Sequence, residues 1–436
     1  MISKFNASKF SVVFYWLLVL AMLALFFTND FGLVDLHKTA IITAVGIDVE
    51  GEEVKVTCEI AVPQPSQSGD NIKYTQIQGS GLTIADALNE VNSKTGFYPQ
   101  LQFCKLILIG ESVREHELFR VLGCFYRKNY SELTALVAMC QGKASDMLSL
   151  KSPVSDMTSE AIRKALSEEI EKSANATSVN LKDIAMSEYS KSYACYMPYV
   201  EANIPGTSES GGNGDNVGGE GGNQGSGNQQ GSQNSGQQSG AQGPSEGGGS
   251  SEGGSAQNGA TQQSGSEQQM EFTARKTAMF SNGKFKGLLN DQQAFALAVI
   301  EDEIRLAVLP CDADGVHYTL GLKNISCGVG LKVENGVPVL TVGFEGKAQI
   351  QGARVVVDPS ETSKDDFVKE NILEAANGEM QKRFEELLSA LAENDCDLLG
   401  IRELLYKFNT KYYDAFKDDI LTRMEVKYQI DIQSVN

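Results

Sequence analysis

Histidine is nearly missing from this chain. Only His37, His116 and His317 occur in 436 residues, far apart. No two share a helix face at the spacing a zinc hydrolase needs, so that class has no ligands to build on. Eight cysteines are present without one Cys-x-x-Cys pair. That scatter is neither a zinc pattern nor a dense disulfide framework; the even count permits one or two disulfides without requiring them. Basic residues are also scarce: 37 Lys and Arg stand against 56 Asp and Glu, a formal charge of −19. Phosphates attract basic patches, so the balance argues against nucleic acid and against an anionic lipid surface as the main partner. Gly142-Lys143 lacks the upstream glycine of a phosphate loop. No nucleophile, base and oxyanion donor stand in a recognisable arrangement, and no cofactor motif appears. The expectation is a protein that is not an enzyme, with no catalytic, cofactor-binding or metal residue to name and its binding residues unknown.

What the chain does have is an unusual middle. Residues 206–269 are almost entirely Gly, Ser, Gln and Asn, with six acidic residues, no Lys or Arg and no aromatic. Such a segment has nothing apolar to bury and cannot offset the entropy of ordering its backbone. It reads as a disordered linker with an r.m.s. span on the order of 45 Å. It divides the chain into blocks 38–205 and 270–436, each long enough for its own core. The second block can be read as two lobes, about 270–310 and 311–436.

The N-terminus carries one apolar run, SVVFYWLLVLAMLALFF from Ser11 to Phe27, holding the only tryptophan, Trp16. Residues 10–28 are near the lower limit for a membrane-spanning helix. Lys4 and Lys9 precede the run; Asp30 and Asp35 follow it. The positive-inside rule then places residues 1–9 in the cytoplasm and the remainder outside. Phe26, Phe27, Thr28 and Asn29 offer no small-residue pair for signal cleavage. An uncleaved signal anchor is the favoured reading, with cleavage as the alternative.

The blocks read as α+β, with mixed sheets packed on helices. Ile41 to Val49 and Val54 to Val62 are strands around a Glu-Gly-Glu turn. A helix opens at Thr83, with Gly96 as its stop. Leu101 to Gly110 is a strand covered on both faces, Arg114 to Lys128 a helix, and Leu133 to Cys140 a further strand, which together make a right-handed βαβ candidate. Helices at Ser159–Ser173 and Leu181–Ser190 lead to a strand at Cys195–Ile204. In the second block, Asn282-Gly283 and Asn335-Gly336 are hairpin turns, and Asn290 caps a short helix from Asp291. Strands follow at Ile304–Leu309, Val316–Ile325, Gly328–Val333 and Val337–Phe344. Ser363 opens a long helix whose stripe is Val368, Ile372, Ala376, Met380, Phe384, Leu387, Leu388 and Leu391. A helix over Leu399–Phe416 and a strand from Val426 to Ile432 close the chain, giving a mostly antiparallel meander with two helices. Asp312-Ala313-Asp314-Gly315 has the wrong residues at the first and twelfth positions for a calcium loop and reads as a turn. Arg114, Arg120, Arg127 and Lys128 form a basic strip along one helix, best explained as a solvated face.

Several stretches resemble a known family. AVGIDVEGEEVKVTCEIAVPQP, YPQLQFCKLILIGESVREH and NLKDIAMSEYSKSYACYMPYV look like the N-terminal domain of the spore germination receptor C subunits, the Ger(x)C family. ARKTAMFSNGKFKGLLNDQQAFALAVI and DCDLLGIRELLYKFNTKYYDAF are similar to its second and third signatures. The resemblance covers both blocks in the family's order. It implies a non-catalytic, membrane-held subunit facing outward from the spore inner membrane, assembled with a multi-pass A subunit and a transporter-like B subunit. It also implies three α+β domains, which agrees with two blocks here if the second is bilobed or a middle lobe draws strands from both sides of the tether. Family members usually carry a lipid-modified cysteine; this chain has an apolar helix in that place. An extracellular solute-binding or sensor protein, tethered to the membrane, is the alternative function.

Overall fold

The structure is a computed structural model, and it describes residues 7–28, 39–63, 72–96, 98–126, 132–168, 178–204, 270–301, 304, 306–354 and 367–435. The expected linker 206–269, the residues around Ser363, and Arg127 and Lys128 lie outside the described residues. The chain on the two sides of residues 206–267 belongs to one compact unit.

Helix α1 (Ala7–Thr28) covers the apolar run. Among the described residues, no helix is long and apolar enough to cross a membrane. The side chains of α1 are described from Val12 to Ala24.

Nine strands form the first sheet. They are β1 (Thr39–Glu50), β2 (Glu53–Pro63), β3 (Ile72–Gly81), β4 (Tyr98–Gln100), β5 (Leu106–Ile109), β6 (Leu136–Cys140), β7 (Ala194–Asn203), β8 (Glu271–Ser281) and β9 (Lys284–Leu289). Their order is β3-β2-β1-β5-β6-β7-β8-β9, with β4 paired to the start of β1. The centre, β1-β5-β6-β7, is parallel and both flanks are antiparallel. β8 and β9, which follow residues 206–269, therefore complete a sheet begun before them.

The expected βαβ unit is present in shortened form. Leu106, Ile107, Leu108 and Ile109 are all fully buried, because successive side chains of a strand serve opposite faces. Ile107 and Ile109 join one core with α2 (Ile84–Thr95), α3 (Leu118–Tyr126) and α6 (Leu181–Ser187). Leu106 and Leu108 join the other with α4 (Ala144–Ser149) and α5 (Thr158–Glu168). The expected ten-residue strand is only four residues long, since Leu101–Phe103 turns as a 3-10 helix before it.

Helix α2 packs so closely on β3 that only glycine fits beneath it. A Cβ at Gly79 would lie 2.1 Å from the Ala87 carbonyl oxygen, and one at Gly81 would lie 2.5 Å from Asp86 Cβ. Thr83 caps α2 by accepting from Asp86 N–H, and Gly96 ends it at φ 69°. Lys94 Nζ also donates to the Gln78 carbonyl (2.7 Å), so the helix covers polar groups of the sheet's edge strand.

The second sheet is β10 (Leu306–Ala313), β11 (Val316–Glu334), β12 (Val337–Ala353) and β13 (Glu425–Ser434), in that order. The strands expected at Val316–Ile325 and Gly328–Val333 are one strand, β11, with a register shift between Lys323 and Ser326 and Asn324 at φ 52°. An Asn at positive φ carries a bulge, so the ladder resumes instead of ending. The Asp314-Gly315, Asn282-Gly283 and Asn335-Gly336 pairs all have both residues at positive φ, the requirement of a two-residue hairpin turn. β13 departs from the expected antiparallel meander by pairing with β12 in parallel.

The long helix is α8 (Glu370–Glu393), and its whole apolar stripe is buried together with α7 (Asp291–Ile300) and the second sheet. Asn290 and Gln293 form a reciprocal capping box on α7. The helix expected at Leu399–Phe416 is two, α9 (Ile401–Phe408) and α10 (Thr410–Phe416), broken at Asn409. Asn409 leaves the helical region (φ −136°, ψ 42°) and its side-chain amide donates to the Leu331 carbonyl. A short α11 (Ile420–Arg423) precedes β13.

Candidate functional site

Two polar junctions and one cavity stand out, each built from segments distant in sequence. At the first junction, the chain leaves β5 through Gly110 and a 3-10 turn, Glu111–Glu115. This turn carries Arg114 between two rings, 4.7 Å from the centroid of Phe285 and 5.5 Å from that of Tyr199. Its terminal nitrogen is 2.6 Å from Glu111 Oε1, and the same oxygen accepts from Tyr199 Oη at 2.5 Å. Arg114 Nε has no hydrogen-bond partner among the described residues. The Tyr199 phenol is pushed up, first by burial and then by its bond to the Glu111 carboxylate. A cation stacked on two rings and paired with one carboxylate ties β5, β7 and β9 together.

Arg114 and Arg120 do not share one helix as the sequence suggests. His116 is extended (φ −116°, ψ 163°), which separates the 3-10 turn from α3. Helix α3 starts where Leu118 N–H donates to the Gly283 carbonyl (2.7 Å), in the β8–β9 turn.

The second junction joins the segment before β7 to α9. Asp397 is 1% exposed. Its carboxylate accepts from Ser192 Oγ (2.6 Å), Ile401 N–H (2.8 Å) and Arg402 N–H (2.7 Å). One side chain thus caps α9 and fastens it to a residue about two hundred positions earlier. Glu403 adds a bond from Lys191 N–H (2.9 Å), and the Lys191 ammonium sits 4.8 Å over the Tyr406 ring.

Donation from the Lys191 amide is the main reason that the Glu403 carboxyl lies below its ordinary value of 4.5. A depressed folded pKa gives stability that is present above the ordinary value and lost as pH falls through the lowered one. We therefore expect the urea midpoint of the full chain to exceed that of Glu403→Gln at pH 7. The gap should close as the pH falls below 4.5. A gap independent of pH would show that the charge of Glu403 is not what is lost.

Asp48, like Asp397, is a buried carboxylate, 2% exposed. It accepts from Ala144 N–H (2.8 Å) and Ser145 N–H (3.0 Å) at the start of α4. Burial raises its pKa, against the opposing pull of those two amides. Gly110 is beside it, where a Cβ would lie 2.0 Å from Asp48 Oδ1. Every one of these carboxylates is engaged by a neighbour, which is how a carboxylate serves as a strut. Six of the eight cysteines are buried. Burial pushes the Cys104, Cys195 and Cys396 thiols up to about 12, so they are protonated at neutral pH and poor nucleophiles. Among the described residues, no three His, Cys, Asp or Glu side chains gather as a metal site.

The cavity, about 1030 Å³, lies between α2, α3 and the β1–β2 turn. Val54, Ile84, Leu88 and Val121 are among its apolar lining, with Glu52, Glu115, Glu117 and Arg120 among its charged groups. His116, isolated in sequence, also lines it. No sequence signal pointed to this cavity, because its wall is assembled from three elements, each showing only its own periodicity.

The fold and junctions thus define an α+β protein whose polar clusters knit distant segments. The segments they join match known family models. Residues 33–202 match the spore germination protein N-terminal domain, and residues 275–435 match the spore germination B3/GerAC-like C-terminal domain. The chain belongs to the GerAC-like family of spore germination receptor C subunits. Among solved structures, one described as the crystal structure of the GerBC protein is similar at 14% identity, covering 90% of this chain and 97% of that chain with a TM-score of 0.49. Comparison with curated proteins gave no match.

Proposed function

We propose that this chain is a non-catalytic, membrane-anchored subunit of a spore germinant receptor, acting through contact. The observation that carries the reading is the ordered pair of family matches on the two sides of residues 206–269. The ectodomain comprises the blocks 38–205 and 270–436, which share the nine-stranded sheet and are joined by the linker 206–269. Its partners are a multi-pass A subunit and a transporter-like B subunit, and it contributes to their assembly and to the signal that starts germination. α1 supports the anchor. Ten large apolar side chains between Val12 and Leu23, all but Val19, are 49–71% exposed. The reading puts the subunit in the spore inner membrane or the cell membrane, single-pass, with its ectodomain outside. Deleting the gene in its sporulating host, without a paralogue, is expected to slow nutrient-triggered loss of optical density. Unchanged germination with every nutrient would contradict the proposal.

The cavity between α2 and α3 favours a second reading, a tethered solute sensor. Its volume, about 1030 Å³, is at the upper end of small-molecule sites. A ligand bound only by the folded state raises the melting temperature. A screen of amino acids and sugars against the full chain separates the two readings; no shift with any of them would remove the sensor.

A further inference from the structure

We propose that the end of the nine-stranded sheet where its parallel strands begin rests on the surface of the lipid bilayer. This rests on the reading of α1 as a membrane anchor. Strands β1, β5, β6 and β7 run the same way, in the registers Ala44↔Leu106, Leu106↔Leu136 and Met139↔Tyr199. Their first residues therefore share one end of the sheet. β1 begins at Thr39, and α1 ends at Thr28. The ten residues between them span at most about 35 Å, whatever their conformation. The opposite end of β1 is roughly 36 Å further along the chain, at about 3.3 Å per residue. Chain length alone thus favours the end where the strands begin as the one nearer the membrane.

The exposed apolar side chains agree. Phe103 (48%), Leu133 (48%) and Tyr193 (46%) lie within three residues of the starts of β5, β6 and β7, and Tyr189 (83%) is shortly before Tyr193. Lys105 and Lys182, both exposed, are interleaved with them. The Lys105 carbonyl accepts from Leu136 N–H, and Lys182 N–H donates to the Leu133 carbonyl. Aromatic and aliphatic groups beside lysines suit the headgroup–acyl boundary of a bilayer. Two exposed acids at the same end, Glu132 and Asp183, offset the two lysines in formal charge; Glu132 accepts from Thr134 Oγ1, and Asp183 from Asn180 N–H.

The far end has the opposite character. There the β1–β2 turn brings Glu50, Glu52 and Glu53 together, with Lys55 and Lys143 both committed to Glu50. Leu82 and Ile204 are exposed at that end too, Leu82 beside Glu52 of the acidic turn. In a chain of charge −19, this asymmetry orients the sheet with its acidic end outward.

The test uses the full chain reconstituted in phosphatidylcholine–phosphatidylglycerol vesicles with brominated acyl chains, which quench tryptophan by contact. Trp16 is the only tryptophan, so the unaltered protein reports whether α1 lies in the bilayer. In a Trp16→Phe background, Phe103→Trp and Tyr193→Trp report the near end, and Glu52→Trp the far end. The proposal requires loss of emission at 103 and 193, and none at 52. Quenching of Trp16 with none at 103 or 193, or with equal quenching at 52, overturns the proposal and leaves the anchor standing. No quenching of Trp16 removes the anchor reading, and the proposal with it.

Discussion

Asp397→Ala is expected to lower the stability of the full chain by about 3 kcal/mol, since each hydrogen bond to a buried charged group is worth about 1.5–3 kcal/mol and the lost cap about 1 kcal/mol, with incomplete additivity. The carboxylate is 1% exposed, and three donors converge on it. Alanine leaves the amides of Ile401 and Arg402 and the hydroxyl of Ser192 to find partners in a space closed to bulk water. Against a typical domain stability of about 5–15 kcal/mol this is a large fraction. Asn should recover part of the loss, because its single oxygen can accept from one amide while its NH₂ group cannot. Ser192→Ala, which removes only one donor, is expected to cost about 1 kcal/mol. The damage should also spread. α9 carries Glu403 and Tyr406, which hold Lys191, so loosening its first turn releases the segment before β7. Urea denaturation in detergent micelles, followed by far-UV circular dichroism, gives the numbers. A loss no greater than that of Ser192→Ala would show that Asp397 is not the strut the geometry makes it.

Gly79→Val is expected to cost a similar amount, about 3 kcal/mol, at the upper end of what overpacking a core causes. The mechanism is different. Here nothing is left unpaired; a helix has to move. The Cβ of any other residue would lie 2.1 Å from the Ala87 carbonyl oxygen, a backbone atom with no rotamer to relieve the contact. Val91 Cγ2, at 3.0 Å, closes the other side. α2 must lift from β3, taking with it Ile84 and Val91, both buried, and the Lys94 bond to Gln78. Because Ile84 and Leu88 line the cavity, the same substitution should change its shape. Gly51→Ala makes a useful contrast. That site has open space but a φ of 64°, so its cost is backbone strain alone, about 1 kcal/mol. Equal effects of the two substitutions would show that α2 is not seated on β3 as described.

Much of the fold was legible in residues that act locally. Asn-Gly pairs give hairpins because both positions need positive φ, and Thr83, Asn290 and Gly96 cap helices by bonds to immediate neighbours. The stripe on α8 was visible because burial there repeats at the helix's own period. What escaped depends on partners remote in sequence. β8 and β9 read as a hairpin, but nothing local says that they join β7 across residues 206–269. The parallel pairing of β13 is set by where α8 to α11 deliver the chain, not by its alternation. Arg114 looked like one member of a basic helical strip. Its environment of Glu111, Tyr199 and Phe285 comes from three elements. Asp397 gave one faint local signal, an acid four residues before Ile401 at a glycine-marked helix start, yet its bond to Ser192 had none.

Co-purification from spore membranes tests the central claim most directly. A tagged full chain, extracted in mild detergent from dormant spores of its host, should partition with the membrane fraction. It should bring with it a multi-pass subunit and a transporter-like subunit encoded nearby. Recovery of the chain from the soluble fraction, alone and at full yield, would contradict the account.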